Sequence, residues 1–396
     1  MQKPTPRRAR VRNTQLILKT IYGNGPISRA DVARATNLTP PTVSDVVASL
    51  IESGLVEEVG LAPSSSGRRA ILLKVVDNSR QLIGIDLSRG DFRGALANLR
   101  GQITHRMDLP LQGRDGDAAL ELVYDLVDAL VKSASSPLLG IGVGAPGLVD
   151  ASNGILQQSV NLNWRYIPFG TLLQKRYNLP VYMANDSQVG ALAMYTFGKR
   201  QENGLPLVVI NLGWGVGAGI IIDGQLLHGS PVGAGEIGHI TVVPDGEQCT
   251  CGNYGCLETI ASSRSIIRRV RMLAENNPNS SFNNLVADSD QIDMDTILSA
   301  LETGNEDARQ VIMEAGQALG IAAANLVGVL GSCRILIRGS VARFGQLLLD
   351  AMREEMSRRT LPSLARASEL EIASVGSDIV IQGAAALILH NELGVL

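Results

Sequence analysis

Two stretches of the chain repeat one order of strands and glycine turns, and this repeat most constrains the fold. Residues 81–111, QLIGIDLSRGDFRGALANLRGQITHRMDLPL, predict three strands separated by polar or glycine turns. Residues 204–230, GLPLVVINLGWGVGAGIIIDGQLLHGS, again open with a buried strand, a glycine-rich turn, a second strand and a third, short strand. An amphipathic helix is predicted over residues 117–134. We therefore expect a duplicated α/β architecture that closes around a ligand.

The length and composition agree with several soluble α/β units. A chain of 396 residues exceeds the usual domain size, and it is 45% hydrophobic and only 4% aromatic, with 42 glycines for tight turns. The basic N-terminus has no long apolar segment after it, and no run approaches the roughly 18 apolar residues of a membrane span. We expect a cytoplasmic protein without a membrane segment.

Charge is distributed unevenly along the chain. Residues 1–80 carry 12 Lys or Arg against 6 Asp or Glu, whereas the remainder carries 23 against 32. This asymmetry favours a polyanion as the partner of the first 80 residues alone. A basic terminus that is merely solvated is the alternative.

Residues 1–78 predict a winged helix-turn-helix. One helix ends at YGNGP, Ser28 caps a second, and Thr39 caps a third whose first turn holds Pro40 and Pro41. Two strands follow, separated by LAPSSSGRR. The residues predicted to meet base edges or phosphate are Thr39, Pro41, Thr42, Ser44, Arg68 and Arg69. A three-helix oligomerisation or protein-contact module is the alternative.

Residues 235–258, GEIGHITVVPDGEQCTCGNYGCLE, hold three of the four cysteines. His239, Cys249, Cys251 and Cys256 can close a tetrahedral zinc site with no open position, so such a zinc would be structural. Disulfides and free thiols are the alternatives, although a Cys249 to Cys251 bridge would be strained. Cys333 is expected to be a buried core thiol.

The chain resembles the ROK family of repressors, open reading frames and sugar kinases. PISRADVARATNLTPPTVSDVVASLIESGLVEEVG followed by GRR resembles the head of the ROK repressors, and GEIGH with CTCGNYGCLE matches the family's zinc box. The resemblance implies an actin-like, ribonuclease-H-like (hexokinase-type) body with a central cleft. The expected domains are residues 1–78, residues 79–190 completed by a C-terminal helix over 380–396, and residues 191–379.

The resemblance also implies a sugar site. The zinc-bound histidine would donate its second ring N–H to a sugar hydroxyl, and carboxylates on either side would accept. VNLNW and MANDSQVGALA match further sugar-contacting elements of the family. The implied contacts are Gly147, Asn161, Asn185, Asp186, Glu236, His239 and Glu258. Asp186 stands where the kinases of the family have a general base, although it could equally be a helix cap.

Three segments that bind ATP in the kinases of the family have a different sequence in this chain. Asp86–Gly90 lacks the glycine and threonine of the first phosphate loop, Gly213–Gly215 has Trp214 in place of threonine, and Arg338–Ser340 replaces a glycine-rich adenosine turn. Phosphoryl transfer depends on positioning and charge stabilisation, so these losses predict no enzymatic activity.

We therefore expect a sugar-responsive transcription regulator, a repressor of carbohydrate uptake or catabolism genes, with structural zinc. It would bind operator DNA as a homo-oligomer, a dimer or tetramer, and take a small sugar as effector. Two alternatives remain: an active sugar kinase with a fused DNA-binding head, in which Asp86 still holds Mg²⁺, and a module that binds a protein instead of a sugar.

Overall fold

The computed structural model describes residues 6–61, 69–88, 90–198, 204–229, 232–276, 282, 286, 288–374 and 376–395. The backbone divides into two units, residues 1–198 with 378–396, and residues 199–377. The predicted winged helix-turn-helix head belongs to the first unit.

The head consists of three helices and a small sheet. Its elements are α1 Pro6–Asn24, β1 Ile27–Ser28, α2 Arg29–Thr36, α3 Pro40–Glu52, β2 Val56–Leu61 and β3 Ile71–Val75. Ser28 caps α2, because its Oγ accepts from the Asp31 N–H at 3.2 Å and donates to the Asp31 carboxylate at 2.6 Å. Asn37, with φ of 55°, makes the turn into α3. Thr39 lies at the N-cap of α3, as predicted, but its hydroxyl makes no capping bond to the backbone and instead bonds the Thr42 hydroxyl at 2.9 Å.

The wing is the sheet β1-β3-β2, in which Leu73 pairs with Ile27 and Val75 pairs with Val56. Arg69 is exposed just before β3, and the Arg68 of the sequence prediction lies outside the described residues.

The first unit also carries a five-stranded sheet in the order β11-β7-β4-β5-β6. A second, three-stranded sheet has the order β10-β9-β8. The elements are β4 Gln81–Asp86, β5 Asp91–Ala97, β6 Ile103–Pro110, α4 Gly116–Ser133, β7 Leu138–Ala145, β8 Leu148–Asp150, β9 Ile155–Ser159, β10 Trp164–Ile167, α5 Phe169–Tyr177, β11 Val181–Asn185 and α6 Asp186–Phe197.

The second unit carries its own five-stranded sheet, in the order β14-β13-β12-β15-β16. Its elements are β12 Leu207–Leu212, β13 Val216–Ile222, β14 Gln225–Leu226, α7 Glu258–Ala261, α8 Ser263–Asn276, α9 Met294–Glu302, α10 Glu306–Leu330, β15 Arg334–Arg338, α11 Gln346–Arg359, α12 Pro362–Ala367 and β16 Glu369–Ile372, with short 3₁₀ turns at Ile237–His239, Ser289–Gln291 and Val341–Phe344. The chain returns to the first unit with α13 Ile379–Ile388 and the π-helical turn Leu389–Leu393.

The two five-stranded sheets have the same topology, which confirms the predicted duplication. In each, three antiparallel strands in sequence order are extended by two parallel strands on the side of the first. Parallel β-strands need helical crossovers, and these account for the helices between the later strands.

Helix α13 packs on the first sheet and on α6 at backbone contact. A Cβ at Gly142 would lie 1.9 Å from the Ala384 carbonyl oxygen, one at Gly84 would lie 2.4 Å from that of Ile381, and one at Gly383 would lie 1.8 Å from that of Val189. Only glycine permits these approaches, so these three positions fix where α13 and α6 lie.

The head shares its core with the sheet beneath it. One apolar cluster joins Ile17 and Ile21 of α1 to Leu99 and to Leu389 and Leu393 after α13. Because the buried apolar side chains of the described part of the head all belong to this shared cluster, the head packs as part of the first unit.

A polar contact adds to this core. Tyr22 of α1 donates its hydroxyl to the Leu99 carbonyl at 2.7 Å. Arg100 donates to the Tyr22 carbonyl at 2.8 Å and to Asp77 at 2.8 Å, with its guanidinium 4.2 Å above the Tyr22 ring. Burial raises the pKa of the Tyr22 hydroxyl, so the hydroxyl stays protonated and remains a donor.

Among the described residues, α10 is long and apolar enough to cross a membrane, with a mean hydropathy of 1.3 over its most apolar window. The sequence expectation of no such run did not anticipate it. That window is 61% buried, and α10 packs on α11, where Gly316 and Gly320 bring the two helices into close contact. Burial of a core helix explains its apolar composition.

Arg100→Ala is expected to loosen the head from the sheet, because it removes the hydrogen bond to the Tyr22 carbonyl, the ion pair with Asp77 and the cation–π contact with Tyr22. We expect the free energy of unfolding to fall by about 1–3 kcal/mol. Hydrogen exchange of the α1 amides should accelerate. The matched control is Arg176→Ala, which removes an ion pair with Asp128 and a stack on Tyr124 away from the head. Equal α1 exchange in both variants would contradict the role of Arg100.

Candidate functional site

Residues 235–258 form a loop that contains little regular secondary structure and is held together by tight turns. Two isolated bridges, Thr241 to Cys256 and Gln248 to Tyr254, fold it back on itself. Gly255 has φ of 66°, and a Cβ there would lie 1.7 Å from the Val243 carbonyl oxygen. Glycine is therefore required at position 255, where the backbone around Gly255 comes closest to that of Val243.

The loop brings the four predicted metal ligands together. The ligand atoms of His239, Cys249, Cys251 and Cys256 all lie within 4.8 Å of one another. The Cys251 and Cys256 sulfurs are 3.7 Å apart, and His239 Nδ1 is 3.6 Å from the Cys249 sulfur. Tetrahedral zinc with bonds of about 2.3 Å to sulfur places its ligand atoms about 3.7 Å apart, so the cluster fits such an ion.

The protonation of the cysteines bears on how a cation would bind. Burial and the neighbouring sulfurs of Cys251 and Cys249 raise the pKa of the Cys256 thiol to about 12. Without a cation, Cys256 is therefore a neutral thiol, and a metal bound by all four groups would displace its proton. Once that proton is lost, the cluster offers a divalent metal one imidazole and three sulfurs.

His239 presents its other ring nitrogen to the carboxylate of Glu236. Nδ1 faces the sulfurs, and Nε2 lies 4.0 Å from Glu236 Oε2. If Nδ1 binds the metal, Nε2 carries the proton and can donate to a ligand hydroxyl. Glu236 and His239 are each about one third exposed, so both remain accessible.

Glu258 has a different environment. Its carboxylate accepts from the Val216 N–H at 3.0 Å and from Arg264 at 3.3 Å, and it is only 12% exposed. Glu258 therefore holds the start of β13 in addition to any ligand contact. Its ion pair with Arg264 was not predicted from the sequence.

The remaining predicted sugar contacts lie in the first unit. Asn185 donates to the Gly147 carbonyl at 3.0 Å and accepts from the Ser187 N–H at 2.8 Å, so Asn185 is the cap of α6. The cap reading of Asp186 is therefore wrong; Asp186 is the first residue of α6 and accepts from the Ser187 hydroxyl at 3.2 Å. Asn161 is exposed in the turn between β9 and β10. The structure thus brings Gly147, Asn185 and Asp186 together at the start of α6.

The segment that stands at the first phosphate loop of the kinases begins with Asp86, whose carboxylate is occupied by an internal ion pair. Asp86 is fully buried, pairs with Arg93, and accepts from the Ser88 N–H at 2.9 Å and from the Ser88 hydroxyl. Arg89 of this loop lies outside the described residues. Asp86 and Arg93 are directly opposed on β4 and β5, so a hairpin register drawn from the sequence could have found this pair, which the sequence prediction missed.

The segment that stands at the second phosphate loop of the kinases is a hydrogen-bonded turn with an exposed indole. Gly213 N–H donates to the Gly215 carbonyl at 3.0 Å, and the Gly213 carbonyl accepts from Ser263 at 2.8 Å. Trp214 is 44% exposed. The turn Arg338–Ser340 stands where the kinases have their adenosine turn. Its Gly339 has φ of 103°, and a Cβ there would lie 2.3 Å from the Leu212 carbonyl oxygen, so only glycine fits.

The proposed DNA-reading residues lie at the start of α3. Thr39, Pro41 and Ser44 are exposed and Thr42 is half-buried, while Val43, Val46, Val47 and Leu50 face the core. Hydroxyls and a proline face outward from the first turn, which suits contacts to base edges.

Comparison with known proteins agrees with this arrangement. Residues 82–391 match the ROK family, and residues 12–57 match the winged helix-turn-helix DNA-binding family.

Individual relatives include repressors and kinases. The chain is 33% identical over 388 residues to the xylose repressor of Caldicellulosiruptor bescii, covering 96% of each chain. It is similar to the crystal structure of a ROK family transcriptional regulator homologous to the Escherichia coli MLC protein, with 28% identity, a TM-score of 0.87 and 98% of each chain covered. It is also similar to a ROK family glucokinase from Streptomyces griseus in complex with glucose and AMPPNP, with 29% identity and a TM-score of 0.66. That match covers 78% of this chain and 98% of the glucokinase.

Cys256→Ser is expected to abolish metal binding, because it removes one of four ligands. Elemental analysis of the purified protein should give one divalent ion per chain for the wild type and less than a tenth of that for the variant. Cys333→Ser, which changes a buried thiol outside the cluster, is the control and should keep its metal. Metal retention in the Cys256 variant would contradict the assignment.

Arg93→Ala is expected to lower the free energy of unfolding by about 3 kcal/mol, since it leaves the buried Asp86 carboxylate without its cation. Arg93→Ala combined with Asp86→Asn should recover much of the loss, because the charge is then gone as well. Urea unfolding of the two variants measures both changes. An equal loss in both variants would mean that the charge pair itself is unimportant.

Proposed function

Because the chain belongs to the ROK family, we propose that it is a sugar-responsive DNA-binding transcription regulator that represses genes of carbohydrate uptake or catabolism. One observation carries this proposal. Asp86, the residue that would serve ATP chemistry, is bound internally by Arg93, whereas Glu236 and His239 are each about one third exposed.

The DNA-binding part of the proposal rests on the head. The proposed contacts are Thr39, Pro41, Thr42, Ser44, Arg68 and Arg69. α3 would enter the major groove and the arginines of the wing would contact phosphate or a minor groove, with operator DNA as the partner.

The sugar-binding part rests on donors and acceptors of the body. The proposed contacts are Gly147, Asn161, Asn185, Asp186, Glu236, His239 and Glu258. His239 Nε2 would donate to a hydroxyl and Glu236, at 4.0 Å from it, would accept from the next, which suits a polyhydroxylated ligand.

The metal is proposed to be structural zinc. Three sulfurs and one imidazole are a zinc ligand set, and a closed shell leaves no position for water. The ion would orient His239 and tie Cys249, Cys251 and Cys256 together; the chain itself supplies the groups that meet the sugar.

We further propose that the protein is not a sugar kinase. Magnesium needs free carboxylate oxygens, and those of Asp86 already accept from Arg93 and Ser88. Trp214 and the Arg338–Ser340 turn are similarly unlike phosphate-binding loops.

The proposed mechanism uses a symmetric homodimer in the cytoplasm. A sugar that binds one arrangement of the dimer better shifts the population toward it, typically by about 1–3 kcal/mol. Since the head shares a core with the first sheet, a movement of that sheet changes the spacing of two α3 helices at their half-sites.

A mobility-shift assay on the DNA upstream of the gene tests the proposal. The free protein should bind, and one of D-xylose, D-glucose or N-acetyl-D-glucosamine should weaken binding by about 5- to 150-fold. Glu236→Gln should keep DNA binding and lose the sugar response, whereas Glu302→Gln, an exposed carboxylate of the same unit, should behave as wild type. Unchanged DNA binding under every sugar would contradict the effector role.

A coupled assay for ADP release with the same sugars tests the alternative of an active kinase. We expect no sugar-dependent turnover. Turnover that disappears in Asp186→Asn would establish the kinase reading instead.

A further inference from the structure

The turn between β5 and β6, residues 98–102, holds the first helix of the head through two of its residues. Tyr22 of α1 donates its hydroxyl to the Leu99 carbonyl at 2.7 Å. Arg100 donates to the Tyr22 carbonyl at 2.8 Å, and its guanidinium lies 4.2 Å from the centre of the Tyr22 ring. The head is therefore attached to this turn by hydrogen bonds and by a stacked cation.

The same turn also meets two helices of the body. A Cβ at Gly101 would lie 2.5 Å from the Phe197 ring, so the last residue of α6 lies directly against the Gly101 backbone. Gln382 of α13 donates from Nε2 to the Gly101 carbonyl at 3.4 Å. The side chain of Phe197 packs in addition against the apolar cluster that contains Ile17 of α1. Residues 98–102 are consequently the place where α1, α6 and α13 meet.

The turn is held in one conformation by a buried amide. Asn98 is 4% exposed, and its Oδ1 accepts from the Arg100 N–H at 2.9 Å and from the Gln102 N–H at 3.1 Å. Its Nδ2 donates to Asn78 Oδ1 and to Gln102 Oε1, each at 3.0 Å. A buried amide with its donors and acceptors satisfied resists deformation, so the turn passes on a displacement and does not absorb it.

Helix α6 links this turn to the proposed sugar contacts. Its cap is Asn185, its first residue is Asp186, and it ends at Phe197 after 12 residues. At about 1.5 Å per residue, the helix spans about 18 Å. A Cβ at Gly383 would lie 1.8 Å from the Val189 carbonyl oxygen, so α6 and α13 are in backbone contact and move as one piece.

On the premise that the proposed function holds, we propose that residues 98–102 are the coupling element through which a sugar-driven movement of the body reaches the DNA-binding head. The sheet, α6 and α13 carry the turn, and the turn carries α1 through Tyr22 and Arg100. Phe197 is a positioning residue, because it is assigned no contact with sugar or DNA. A head held less firmly at this turn still binds DNA, and the body still binds sugar, but neither event affects the other.

Phe197→Ala in the full chain tests the proposal, because it removes the ring that lies on Gly101 and leaves the proposed sugar and DNA contacts in place. Fluorescence anisotropy measures DNA affinity without sugar and with whichever of D-xylose, D-glucose or N-acetyl-D-glucosamine weakens wild-type binding. Calorimetry measures the affinity for the same sugar. Each separate affinity should stay within about twofold of wild type, whereas the sugar-induced change in DNA affinity should fall from about 5- to 150-fold to less than about twofold.

Three further variants distinguish coupling from a general effect on the fold. Phe197→Leu keeps an apolar side chain at the turn and should retain at least about a third of the wild-type response. Tyr195→Ala removes a half-buried aromatic group of the same helix and should respond as wild type. Tyr22→Phe removes only the hydroxyl that donates to Leu99, and it should lower the response by about threefold or more even if Phe197→Ala does not fold.

A wild-type response in Phe197→Ala or in Tyr22→Phe would overturn the coupling role. So would an equal loss of response in Tyr195→Ala, or a tenfold loss of either separate affinity in Phe197→Ala, since the ring would then serve the fold of a site. In each of these cases the wild type still releases DNA with sugar, and the proposed function survives. A wild type whose DNA binding changes with none of the sugars would remove both.

Discussion

The packing of α13 against glycine is the contact on which the first unit depends. Carbonyl oxygens of Ile381 and Ala384 lie where a side chain would start at Gly84 and Gly142, and Gly383 gives the same access to α6. A helix at this distance from a sheet has one position, because any added methyl group would displace it. The C-terminal segment thereby fixes the start of α6, where Asn185 and Asp186 lie, and continues into the core beneath α1.

The second unit has a comparable constraint of another kind. Residues 235–258 contain little regular structure to hold His239 and Glu236 in place. Backbone contacts of Gly235 and Gly238 with β13 fix one side of the loop, and the cluster of His239 with three cysteines lies on the other. A metal held by that cluster would couple metal binding to the local fold, since it would tie together segments that are distant in the loop.

Much of this could be predicted from the sequence because it depends on local patterns. The spacing of Cys249, Cys251 and Cys256, the cap at Ser28 and the two strand repeats each require only neighbouring residues. Contacts between residues that are far apart in the sequence could not be predicted in this way. Arg100 meets Tyr22 through the fold, and Glu258, expected to face a ligand, also holds the Val216 amide because β13 lies against α7. The apolar length of α10 is ambiguous by composition, and its packing on α11 resolves it.

The ion pair of Asp86 and Arg93 limits which single substitutions this part of the fold tolerates. Restoring glycine and threonine after Asp86 would leave the carboxylate neutralised, while replacing Arg93 first would strand a buried negative charge. Each single step is therefore either without effect or costly to the fold. The two residues can therefore be replaced without loss of stability only when both change together.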